Sequence, residues 1–224
     1  MTGILCVQGA FAEHEKMLDR LGEKWCEIRK LADLQNKFDR LILCGGESTT
    51  QGKLLRELGL FEPLREMILR GMPVFGTCAG LILLAKEIEN DTRRHFALMD
   101  IKVRRNGYGR QLGSFFALGK FDQMSDVPMS FIRAPYIESV LDDGEFSANL
   151  GCNNTKIDAQ LNANFTQNSD EKLCKDVKKQ HVKVQILSQI DGKIVAARQK
   201  NMLVTAFHPE LNDDTRIHEY FLNM

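Results

Sequence analysis

Short apolar runs alternate with longer stretches in which charged residues interrupt the apolar ones, and this alternation holds up to about residue 98. Gly3 to Gln8 reads as a strand, closed by Gly9. From Phe11 to Leu21, apolar Phe11, Met17, Leu18 and Leu21 stand among charges, which predicts an amphipathic helix. Trp25 to Arg29 and Phe38 to Leu43 are the next strands, the second ending at Cys44-Gly45-Gly46. Helical spacing returns over Gly52 to Leu58 and Glu62 to Arg70. It is followed by a buried strand over Met72 to Phe75 and a helix start at Leu81 to Ala85. Strand and helix in alternation predict an α/β unit with a parallel sheet.

Beyond that point strands follow one another at short range: Met99–Arg104, Ser114–Leu118, Met129–Arg133, Val182–Ile190, Lys193–Arg198 and Met202–Phe207. Ile190-Asp191-Gly192-Lys193 is a hairpin signal. Asp213 to Leu222 closes with helical spacing and an acidic start. A mixed sheet with an antiparallel portion is therefore expected. Residues 142–181 differ: Asn149, Asn153, Asn154, Asn162, Asn164 and Asn168 leave few apolar side chains for a core. This stretch is read as a surface insertion in a single domain spanning 1–224, with a small extra subdomain as the alternative.

Composition narrows the class. The 224 residues are 43% hydrophobic and 27% charged with zero formal net charge, as in a globular protein, and nothing global points to nucleic acid or anionic membranes. No run approaches the roughly 18 apolar residues of a membrane-crossing helix. Met1 to Val7 has no basic region before its apolar residues, so no secretory signal is expected. Cys6, Cys26, Cys44, Cys78, Cys152 and Cys174 form neither a CxxC nor a metal-ligand spacing. That argues against a disulfide framework and for a reducing compartment, the cytoplasm by default, and no metal site is expected. Cys6 and Cys44 lie in apolar runs and are expected in the core. Asn153-Asn154-Thr155 and Asn164-Phe165-Thr166 match the glycosylation pattern, which has no meaning without secretion.

Three turns carry candidate chemistry. Gly76-Thr77-Cys78-Ala79-Gly80 joins a buried strand to a helix through small residues, the pattern of a nucleophile elbow. A thiol there sits near a helix N-terminus, which favours the thiolate; a buried cysteine in a Gly-rich turn would give the same pattern. His208-Pro209-Glu210 follows the apolar run 202–207, so its imidazole is expected at the strand-end edge where open α/β sheets bind ligands. Pro209 biases His208 toward an extended backbone, in which Glu210 shares a side with His208 and orients its ring. Gly45-Gly46-Glu47-Ser48-Thr49-Thr50 offers backbone amides for an oxyanion, or a helix start capped by Ser48 or Thr49. It does not match a phosphate loop.

These three segments resemble the class I glutamine amidotransferases. Further blocks, Leu5-Cys6-Val7-Gln8-Gly9-Ala10, Arg105-Asn106-Gly107-Tyr108-Gly109-Arg110-Gln111, Ser114-Phe115, Phe131-Ile132-Arg133-Ala134-Pro135 and Arg216-Ile217-His218-Glu219-Tyr220-Phe221, are similar to the PdxT/SNO family. Its members are glutaminase subunits of pyridoxal 5′-phosphate synthase. The resemblance implies a three-layer fold, a mixed and mainly parallel sheet with helices on both faces. It implies that Cys78 attacks the side-chain amide of L-glutamine, with His208 as base and acid and Glu210 orienting it. Gly46 and Ala79 would supply oxyanion amides, and Gly46, Glu47, Ser48, Arg105, Ile132 and Arg133 would bind the substrate. No cofactor is implied. Ammonia would pass to a (β/α)8-barrel synthase subunit whose docking completes the oxyanion hole. Two departures stand out: Cys44 replaces the family's usual proline, and the connection holding 142–181 is longer than in the family. Alternative readings are a glutaminase serving another synthase and a catalytically silent scaffold subunit.

Overall fold

Short, largely buried strands form the parallel half of the main sheet, and longer strands with exposed or half-buried positions form much of the rest. The structure, a computed structural model, describes residues 1–109, 113–141 and 182–224. In chain order the first elements are β1 (Thr2–Leu5), α1 (Phe11–Arg20), β2 (Trp25–Ile28), β3 (Arg40–Leu43), α2 (Ser48–Glu57), α3 (Phe61–Leu69), β4 (Val74–Thr77) and α4 (Ala79–Leu84). Then come β5 (Ala85–Ile88), β6 (Met99–Arg104), β7 (Ser114–Phe121), β8 (Met124–Ile132) and β9 (Tyr136–Val140). The chain closes with β10 (Gln185–Ile190), β11 (Lys193–Gln199), β12 (Met202–Thr205) and α5 (Arg216–Leu222). The expected insertion at 142–181, and Arg110 and Gln111 of the resemblance block, lie outside the described residues.

The main sheet runs β2-β1-β3-β4-β12-β11-β9-β6-β5, with β10 paired to β11. From β2 to β12 every pairing is parallel, in registers such as Leu43 opposite Gly76 and Thr205 opposite Thr77. β11 pairs antiparallel with β12, β9 and β10, and β9 with β6, before β6 and β5 return to parallel. β7 and β8 form a separate antiparallel pair. The mixed sheet agrees with the sequence reading.

All four residues of β1, β4 and β12 are buried, as expected for parallel strands covered on both faces. Successive residues of β4 show the two layers. Phe75 packs its ring against His14 of α1 and against His218 and Phe221 of α5. Gly76 points the other way, where a Cβ would come within 2.7 Å of the Gly80 backbone in α4. A Cβ on Gly80 would in turn stand 2.2 Å from the Leu43 carbonyl oxygen, so α4 lies against the strands only because both positions are glycine.

Four local expectations need correction. The run at Leu81 does not begin a long helix: α4 ends at Leu84 and Ala85 starts β5. Leu81 to Leu84 are buried all round, so their apolarity carried no helical period to read. β9 was not foreseen in Tyr136–Val140, which gains its strand form by pairing with β6 and β11. The strand expected over Met202–Phe207 stops at Thr205. Pro209–Leu211 is a 3-10 turn capped by His208, not extended chain. The Ile190–Lys193 hairpin forms as expected, with Asp191 and Gly192 both at positive φ (49° and 75°), as a two-residue type I′ turn requires.

Candidate active site

The parallel strands β1, β3, β4 and β12 all deliver their C-terminal ends to one edge, which gathers Gln8, Gly45, Cys78 and His208. Cys78 sits between β4 and α4 at φ 47° and ψ −94°, a region that L residues avoid and that costs about 1–3 kcal/mol. The surrounding structure holds it there: its amide donates to the Thr205 carbonyl at 2.8 Å, and its own carbonyl accepts from Ile82. The side chain is nearly buried and faces the cavity.

His208 leaves β12 after Ala206 and Phe207, with its backbone amide bonded to Ser130 O at 2.8 Å. Its Nδ1 lies 2.7 Å from Glu210 Oε1. Burial holds the Glu210 carboxyl up, yet its charged neighbours and hydrogen bonds bring it below its ordinary value, so it is ionised and Nδ1 must donate. Burial alone would lower the His208 pKa, but hydrogen bonds to Cys78 and Glu210 outweigh it and raise the imidazole to about 10. With Nδ1 taken, Nε2 is the nitrogen left to meet the Cys78 sulfur. Gly45 makes room for this ring: a Cβ there would stand 2.3 Å from His208 Cε1 and 3.5 Å from Cys78 Cβ.

The cavity has a volume of about 290 Å³. Of the residues expected at the site, Gly46, Glu47, Ser48, Cys78, Arg105, Ile132, Arg133 and His208 line it. Glu210 lies behind His208, and Ala79 is buried at the first position of α4. The helix start is capped by Glu47, whose side chain accepts from the Thr49 amide at 3.3 Å, not by Ser48 or Thr49. Among the described residues Ser48 Oγ is buried without a hydrogen-bond partner.

Charge at the mouth is arranged in two parts. Arg105 bonds Glu47 Oε1 at 2.8 Å and Thr49 Oγ1 at 3.3 Å, with Asp91 Oδ2 3.7 Å away. Hydrogen bonds from Arg93 hold the Asp91 carboxyl down at about 2. Arg133, at φ 43°, turns the chain out of β8 and its backbone amide donates to the Gly113 carbonyl. Its guanidinium has no ion-pair partner among the described residues.

Sequence reasoning assigned no role to Gln8, although its segment carried part of the resemblance. Gln8 Oε1 accepts from the Glu47 amide at 2.9 Å, and Gln51 Nε2 bonds both Gln8 O and Cys44 O. Its place at the end of the strand read over Gly3 to Gln8, just before Gly9, was the available signal. Among the described residues one cluster has metal-binding atom types, Cys6, Glu15 and Glu27. Arg29 already occupies Glu27, and burial pushes the Cys6 thiol up to about 12, so the set suits a metal poorly.

Comparison with known proteins matches the model of the "SNO glutamine amidotransferase family" to residues 4–170 and 174–224. The chain is 48% identical over 222 residues to pyridoxal 5′-phosphate synthase subunit PdxT of Desulfitobacterium hafniense (strain DSM 10664 / DCB-2), covering 99% of this chain and 92% of that protein. It is 46% identical over 230 residues to the subunit of the same name from Bifidobacterium longum (strain NCC 2705), covering 100% of both. A crystal structure of a glutamine amidotransferase superposes with a TM-score of 0.76 at 33% identity, over 99% of this chain and 97% of the other. Likeness of this extent, running through every segment that lines the cavity, decides descent: the chain belongs to the SNO glutamine amidotransferase family.

Proposed function

We propose that this chain is the glutaminase subunit of a pyridoxal 5′-phosphate synthase, hydrolysing L-glutamine to L-glutamate and ammonia and passing the ammonia to a separate (β/α)8-barrel subunit. The observation that carries the reading is the strained Cys78 meeting a histidine that is bound through Nδ1 to a buried carboxylate. In the first step the Cys78 sulfur, its proton taken by His208, bonds to the side-chain amide carbon. The C–N bond then breaks as His208 passes that proton to nitrogen, and ammonia leaves a γ-glutamyl thioester. Water, deprotonated by His208, attacks the thioester, and the thiol is regenerated as glutamate departs. Glu210 keeps the imidazole in the required tautomer and favours its charged form.

The backbone amides of Gly46 and Ala79 are assigned to the oxyanion of each tetrahedral intermediate. An amino acid's α-carboxylate fits Arg133, whose guanidinium has no ion-pair partner among the described residues, and its α-ammonium group fits Glu47. Arg105 fixes the Glu47 side chain, while Ser48 and Ile132 complete the pocket wall. The reaction needs no metal or cofactor. Residues 1–224 form one glutaminase domain in this reading, with 142–181 as a surface insertion. Cytoplasmic reducing conditions suit a nucleophilic thiol, since oxidation would remove the reactive thiolate.

The test is ammonia release from glutamine, measured with and without a candidate barrel subunit. Release is expected to rise with the synthase subunit present and to vanish in Cys78→Ala. Equal turnover by wild type and Cys78→Ala removes the nucleophile assignment, and no release under any condition removes the glutaminase reading.

A further inference from the structure

Behind Glu210 lies a second buried polar cluster that the proposed reaction does not use. His14 of α1 and His218 of α5 are both 0% exposed although 204 residues separate them. His14 Nε2 is 3.3 Å from Thr77 Oγ1 and 3.6 Å from Glu210 Oε1, while its Nδ1 is 3.0 Å from His218 Nε2. Thr77 immediately precedes Cys78, and its Oγ1 accepts the Gly45 amide at 2.9 Å. One imidazole therefore borders the carboxylate, the elbow strand and the Gly45 turn together.

The partners decide where the protons are. Burial lowers the pKa of His14, and lowers that of His218 to about 3, so both rings are neutral near pH 7 and each has one N–H and one lone pair. Placing the His14 proton on Nδ1 would turn the Nε2 lone pair toward ionised Glu210. It would also leave His218 with its N–H on Nδ1, which has no partner among the described residues. With the proton on Nε2 instead, His14 donates to Thr77 Oγ1 and directs a positive dipole end at Glu210 Oε1. Its Nδ1 then accepts from His218 Nε2, leaving only an unfilled lone pair at His218 Nδ1. An orphaned buried donor is the rarer and costlier defect, so the second arrangement holds. The other charged groups bearing on His14 are His208 and Glu13.

We propose that His14 is a positioning residue for glutamine hydrolysis. Its Nε2–H steadies the Glu210 carboxylate against His208 and, through Thr77, couples it to the Gly45 turn, while His218 sets the His14 tautomer. Among the described residues Glu210 Oε2 is buried without a hydrogen-bond partner, so the carboxylate depends on what His208 and His14 offer at Oε1. The inference rests on the glutaminase reading above.

The experiment exploits the two ends of the ring in the full-length chain assayed with its synthase subunit. Gln at position 14 places an amide N–H near the Nε2 site, whereas Asn reaches only the Nδ1 site. Losing a partner that orients a reactive imidazole costs roughly ten- to a hundredfold at metal sites, and about tenfold in kcat is expected here for His14→Asn. KM should stay close to wild type, and the acid limb of the kcat profile should move to higher pH as Glu210 protonates more readily. His14→Gln should restore both. The pH dependence of Cys78 alkylation by iodoacetamide supplies a second readout that needs no glutamine turnover. Equal losses in Gln and Asn, or wild-type profiles in Asn, overturn the proposal. If His14→Asn does not fold, His218→Leu against His218→Gln puts the same question, and equal behaviour of that pair also overturns it. Absence of ammonia from wild type would instead strike the glutaminase reading.

Discussion

The two sides of the cavity solve different problems. On the inner side His208, Glu210, His14, Thr77 and His218 are all buried, brought together from the turn after β12, α1, the end of β4 and α5. On the outer side Glu47, Arg105 and Arg133 stand in or near solvent, and Arg105 is held by ion pairs with Glu47 and Asp91. Low polarity on the inner side lets neighbours move proton affinities far, as the imidazole raised to about 10 shows. On the outer side Glu47 and Arg133 are exposed to screening by water and salt, so these residues suit the recognition of a charged amino acid more than the management of a proton. Substitutions inside should therefore act on kcat, and substitutions outside on KM.

The most severe test of that contrast is Cys78→Ala, for which glutamine hydrolysis should fall to background while glutamine still binds. Next, His208→Asn and Glu210→Gln should each lower kcat by about a thousandfold or more, with KM near wild type, as seen when triad members are replaced elsewhere. A comparable rise in KM would erase the division between the two sides. Arg133→Met is the matching outer-side change. Loss of a charge-assisted hydrogen bond worth about 1.5–3 kcal/mol should raise KM roughly ten- to a hundredfold, with kcat retained and with wild-type KM rising in salt.

Stability against pH sharpens the same comparison. The folded-state pKa of His208 is raised, so its stabilising effect is full below the unfolded value of 6.5 and is lost as pH rises through about 10. Thermal melts should thus show the gap between wild type and His208→Asn narrowing as pH rises through that window. A gap that widens would contradict the assignment. The smallest effect is expected from deleting residues 150–178: if 142–181 is a passive insertion, melting temperature and synthase binding should be unchanged.

Much of this arrangement was legible along the chain. The buried strands and Gly-rich turns at Gly45 and Cys78 are local patterns, and their position after parallel strands puts them at one edge whatever the rest does. The pairing of His208 with Glu210 was also expected, though for a different geometric reason. The chain was read as extended through Pro209, but a 3-10 turn brings the carboxylate to Nδ1. The α4–β5 boundary was hidden because a segment buried on all sides has no polar face to reveal its period. His14 gave no signal, since a histidine among charges on an amphipathic helix looks like part of the solvated face.

Sequence alone determined the alternation of strand and helix, the elbow at Cys78 and the candidate chemistry at His208, because each depends on residues close together in the chain. Tertiary structure decided which carboxylate oxygen meets which ring nitrogen, that Arg105 is paired with Glu47, and that His14 and His218 meet behind Glu210. Those outcomes depend on contacts between residues up to 204 positions apart. Proton affinities and tautomers follow from such contacts, and from the water they exclude, rather than from neighbours in the chain.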